Sequence, residues 1–126
     1  MFVGEGIVSG HDIISSNSEV FSSEQKMKNY KYGLIDYSNI SQLKVSNSEI
    51  KMIASQDKNA SVFVPDAVVA IAVKGDHEFG LNRMWEFIVE NTGVQWETMV
   101  FRYRVNAEIW IKNRIREKHN IDITME

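Results

Sequence analysis

The chain has 126 residues, 44% of them hydrophobic and 25% charged, with one proline, seven glycines and no cysteine. That length suits one domain with one core, and the balance excludes a disordered or collagen-like chain. Without cysteine there is no disulfide, thiolate nucleophile or cysteine-ligated metal. The net charge of −3 gives no overall pull toward nucleic acid or anionic membrane.

Residues 2–8 are predicted to form a strand, weakened by Gly4 and Gly6. The N-terminal stretch lacks a basic region followed by a long apolar one, so no signal peptide is expected and cytoplasm is the default compartment. No apolar run approaches the ~20 residues of a membrane span. Ser9 caps a short helix carrying Ile13, Ile14, Val20 and Phe21, with the polar run 15–18 a poor helix interior. Residues 22–29 read as a charged loop.

Residues 30–37 (YKYGLIDY) form a second strand, closed by the turn formers Asp36, Ser38 and Asn39. Ser46-Asn47-Ser48-Glu49 fits the capping box S-x-x-E. It opens a helix with Ile50, Ile53 and Ala54 on one face, fraying through Asp57, Lys58 and Asn59. Val62, Phe63 and Val64 make a short apolar segment that Pro65 ends.

Residues 67–74 are the clearest strand. Its apolar side chains do not alternate with polar ones, so both faces should be covered. The polar turn Lys74-Gly75-Asp76-His77 follows, and Asp76 caps the next helix with Glu78 in its first turn. Gly80 is expected to permit close packing of that helix on a strand. Leu81, Met84, Trp85, Ile88 and Val89 make one apolar stripe, and Gly93 suits the helix end.

Residues 94–101 form the next strand. A last helix puts Ala107, Trp110, Ile111 and Ile115 on one face, and residues 120–126 are a tail that adds an edge strand or stays loose. Six basic residues between 101 and 118 (Arg102, Arg104, Lys112, Arg114, Arg116, Lys118) stand against Glu108 and Glu117, a local balance of +4. They read as the solvated face of that helix, or more sharply as a surface for an acidic partner. The order β-α-β-α-β-α-β-α implies a single α/β domain over residues 1–126, with a mainly parallel sheet and crossover helices.

Three stretches, GLIDYSNI (33–40), AVVAIAVKGDHEFGLNRMWE (67–86) and VFRYRVNAEIWI (100–111), resemble in order the SpoIIAA-like or STAS domains (sulfate transporter and anti-sigma-factor antagonist). The likeness is to the small stand-alone members described as STAS/SEC14-like. It implies four or five strands with about four helices, and a mixed sheet whose first strand runs against its neighbour. Anti-sigma-factor antagonists carry a phosphorylated serine in a D-S-S-G motif at the matching helix start. Here that position falls on Asn47 with no following glycine, which leaves Ser46 or Ser48 as stand-in phosphoacceptors. Tyr103 stands where the family often places a Ser or Asp cap, so the last helix should be poorly capped.

Asp36, Ser46, Ser48, Asp76, His77 and Phe79 are the candidate ligand- or partner-binding residues. Ligands of open α/β sheets bind beyond the carboxyl ends of the strands, where the His77 turn and Asp36 are placed. A histidine beside two carboxylates suits a base or a metal ligand, while Asp76 is equally a cap and Asp36 equally a turn former. Ser46 and Ser48 at a helix start suit an anion or phosphorylation, and equally a capping box. Trp96, if exposed near Phe101 or Tyr103, marks a binding patch. No P-loop, G-x-G-x-x-G, G-x-S-x-G, zinc or EF-hand signature occurs, so no cofactor or metal is expected. The leading expectation is a non-enzymatic, regulatory domain. It binds another protein, or a small or lipid-like ligand held between helix and sheet. The alternatives are an enzyme using Asp36, Asp76 and His77 in one sheet-end cleft, and a homo-oligomeric interaction protein.

Overall fold

In the computed structural model, which describes residues 2–76, 80 and 96–124, β-strands alternate with α-helices along most of the chain. The chain runs through β1 (Phe2–Ser9), α1 (Gly10–Val20), α2 (Glu24–Lys28), β2 (Tyr32–Lys44), α3 (Asn47–Phe63), β3 (Val68–Val73), β4 (Glu97–Phe101) and α4 (Arg104–His119). The strands form one sheet in the order β1-β2-β3-β4, and each neighbouring pair is parallel. The α/β class is as expected, but β1 does not run against its neighbour as the STAS resemblance implies. The physical reason lies in the connection. Residues 10–31 carry α1 and α2 back along the sheet, so β2 starts at the end where β1 started.

Stepping one strand at a time in one direction with right-handed crossovers puts the connecting helices on one face. That face holds the larger core, where α1 and α3 residues such as Ile13, Ile50, Ile53 and Ala54 pack on Tyr37, Val69, Ile71 and Val73. The opposite face carries α4, whose Ala107, Ile111 and Ile115 pack on Leu34, Val68 and Ala70. All six residues of β3 are buried, as a strand covered on both sides requires.

β2 is longer than expected. It does not stop at Asp36–Asn39 but continues to Lys44. The Asp36 carboxylate accepts hydrogen bonds from the Ser38 backbone N–H at 2.9 Å and from its hydroxyl. This is the local turn chemistry that the residues announce, yet it makes a bulge rather than an end. The register with β1 shifts at this place, between Val3↔Asp36 and Glu5↔Asn39. β2 therefore pairs with β3 through Tyr37, and with β1 along most of its length.

Two helical expectations also change. The charged stretch after α1 contains the five-residue α2, capped by the Ser23 hydroxyl on Lys26 N–H. α3 does not fray at Asp57 but runs to Phe63, because Asp57, Ala60 and Ser61 continue its buried face. α4 starts at Tyr103 with no side-chain cap, as expected, and ends on Asn120 in the left-handed region. The expected helix stripe from Leu81 to Val89 and the stop at Gly93 lie outside the described residues. Among the described residues, a Cβ added at Gly80 would meet no atom within 4 Å.

Candidate functional site

The residues singled out from the sequence do not meet on one surface. Ser46 caps α3: its hydroxyl accepts from Glu49 N–H at 3.2 Å, while Ser46 N–H donates to Glu49 Oε1 at 2.9 Å. Ser48 Oγ lies 3.1 Å from Ser46 Oγ. Asp36 is paired with Ala72 near the end of β3, whereas Ser46 follows the far end of β2. At ~3.3 Å per strand residue the two are on the order of 20 Å or more apart along the strand. The longer β2 is what separates them.

Asp36 is buried on the α4 face and ion-paired with Arg104 Nη1 at 3.2 Å. Burial pushes its carboxyl upward, but the bonds from Ser38 and Arg104 outweigh this and hold it below the usual aspartate range. Asp76 pairs with Arg102 at 2.8 Å and is almost fully exposed. His77 and Phe79 lie outside the described residues. The basic run is spent largely within the fold. Arg104 also bonds Glu108, Arg114 bonds Glu97 and Glu117, Lys118 bonds Glu97, and Arg116 bonds Asp122. The expected acidic-partner surface is thereby mostly neutralised. Trp96 is buried, with its indole N–H donating to the Val64 carbonyl at 2.6 Å, so it marks no exposed patch.

A different site emerges between the helix layer and the sheet. A pocket of about 640 Å³, counting the part open to solvent, lies among residues of α1, α3, β2 and β3. α1 contributes Ile13 and Asn17, and Phe21 follows it. β2 contributes Ile35, Tyr37 and Leu43, α3 contributes Ile50, Ile53 and Asp57, β3 contributes Val69 and Ile71, and Tyr30 and Trp96 complete the wall. A second recess of about 500 Å³, also partly open, continues past Asn17 and Phe21 toward Phe2 and Val20. The opening thus runs beside α1.

Local sequence builds this space. Capping boxes at Ser9/Asp12 and Ser46/Glu49 start α1 and α3 side by side. Gln56 then ties the two helices by donating to the Ile14 carbonyl at 3.0 Å and the Ser18 hydroxyl at 3.1 Å. Gly33 leaves room on the sheet face: a Cβ there would overlap the Tyr30 hydroxyl. Phe21, Tyr30 and Trp96 contact one another with ring centroids 5.0 to 5.8 Å apart.

Asp57 is the exceptional group. The residue is 6% exposed, and among the described residues it makes no hydrogen bond or ion pair. Burial alone raises its carboxyl to about 8. Tyr30 and Tyr37 are pushed above the usual phenol range, first by burial and then by the Asp57 charge. No Lys, Arg or His is among the described lining residues. The sequence did hold a signal for Asp57. It stands seven residues after Ile50, four after Ile53 and three after Ala54, so a carboxylate interrupts the apolar stripe of α3.

No helix among the described residues is long and apolar enough to cross a membrane, and no cluster of three acidic or histidine side chains there suits a metal ion. Comparison with protein-family models, with curated proteins and with solved structures returned no match in any of the three.

Proposed function

We propose that this chain is a non-enzymatic binding domain whose ligand is a small, mostly apolar molecule held between the helix layer and the sheet. The observation that carries this reading is the aromatic and aliphatic pocket between α1/α3 and β2/β3, with Asp57 and two tyrosines as its few polar groups. Concave, largely apolar spaces with a few placed polar groups are the usual form of small-molecule sites. The pocket, not the family, supports the reading, since the parallel β1 departs from the STAS pattern. The enzyme alternative gains nothing from Asp36 and Asp76, each already held by an arginine.

The test uses an uncharged probe. Titrating 1-hexanol into the protein should shift the Trp96 indole signal in NMR spectra, with a Kd on the order of 1 mM. Ile35→Trp should fill part of the pocket and abolish the shift. An unmoved Trp96 signal in the parent protein, or an undiminished shift in Ile35→Trp, overturns the reading.

A further inference from the structure

We propose that the pocket selects small hydrophobic organic cations, with an ammonium group seated against the Asp57 carboxylate and walled by the rings of Phe21, Tyr30 and Trp96. This rests on the pocket being a ligand site.

A carboxyl group on the buried stripe of a helix is costly unless something compensates it. Asp57 has no hydrogen-bond or ion-pair partner among the described residues, and it is buried and lines the pocket. The missing partner therefore belongs in the open space. Three features decide its chemistry. An anionic ligand such as a fatty acid would find no lysine, arginine or histidine in the described lining to pair with. The wall beside it is aromatic, and ring faces attract cations most strongly where water is excluded. The Trp96 N–H is already given to Val64, so the indole offers its ring and not its donor. An ammonium brings three N–H donors, and Asp57, Tyr30 and Tyr37 are the acidic and phenolic groups of the lining. The aliphatic lining from Ile35, Ile53, Val69 and Ile71 then takes the hydrocarbon tail.

Three probes with one tail separate the readings: n-hexylamine, 1-hexanol and hexanoate, each titrated by calorimetry at about pH 9, where the Asp57 carboxyl is largely ionised and the amine is still an ammonium. The amine should bind about tenfold or more tighter than the alcohol, as a charge-assisted bond implies, and hexanoate should bind weakest. Asp57→Asn keeps the shape of the side chain and should bring amine and alcohol to within about twofold of each other. Equal binding of amine and alcohol by the parent protein overturns the cation selectivity while leaving the apolar pocket in place. So does tightest binding of hexanoate, or an undiminished amine preference in Asp57→Asn. Binding of none of the three overturns the pocket reading itself.

Discussion

Asp57 carries a side chain that ordinarily seeks water or a cation, and α3 holds it away from both. Its acidity makes a pH prediction. With the folded carboxyl raised to about 8 and the unfolded one near 3.8, the folded state binds the extra proton between these values. Stability from this group is complete below about pH 4 and falls as pH rises toward 8, by up to ~1.4 kcal/mol per pH unit. The facing titratable groups, Tyr30 and Tyr37, stay neutral throughout that window. Urea unfolding at pH 5 and pH 8 should show this loss in the parent protein and a much flatter profile in Asp57→Asn. An equal slope in both would assign the pH dependence to other groups. Gly33 acts by absence: its missing Cβ leaves the space that the Tyr30 hydroxyl takes. Gly33→Ala should displace that buried ring and cost about 1–3 kcal/mol, measured by chemical unfolding, because overpacking forces neighbours off their preferred rotamers.

At the scale of elements, α4 is held to the sheet by its two ends as well as by its apolar stripe. Arg104 at its start reaches Asp36 on β2, and Arg114 and Lys118 in its second half reach Glu97 on β4. The bonds from Arg114 come first among the causes that keep Glu97 more acidic than usual. Asp36→Ala should cost about 2 kcal/mol, since it strands the Ser38 donors and removes a charged partner from Arg104. Thermal unfolding of the variant checks this, and an unchanged midpoint would make the pair energetically idle. The Ser9 cap of α1 and the capping box of α3 were legible in the sequence, because a cap is a local hydrogen-bond pattern. The end of β2 was not. Asp36 and Ser38 do form the side-chain bond that such residues favour, but β1 pairs across it and turns the interruption into a bulge. The course of α3 past Asp57 was equally illegible, since local propensity penalises a polar run that tertiary burial then holds in helix.

Across the whole molecule, the sheet has one strand covered on both faces and two edges. β3 is buried throughout, while β1 at one edge exposes Val3 and Ile7. Opening free energies differ across a fold according to such burial. Native-state hydrogen exchange should therefore be slowest in β3 and faster by orders of magnitude in β1. Comparable protection in the two strands would mean that β1 is covered in solution, as an edge-to-edge assembly would do.

The sequence by itself determined the α/β class, the two capped helices and the doubly covered strand, because periodicity, capping and unbroken apolar runs are properties of neighbours along the chain. It also placed Ala107, Ile111 and Ile115 on one inward face. Only the tertiary structure decided that β1 is parallel, that Asp36 and Ser46 lie far apart, and that the basic run closes on acidic residues of its own chain. The pocket belongs to the same group. Asp57, Tyr30 and Trp96 are separated by tens of residues, and they share one wall only because α3 lies over β2 and β3 while the start of β4 swings Trp96 under the end of that helix. Strand direction, register and the space left between layers depend on how whole elements dock, and no local pattern encodes that.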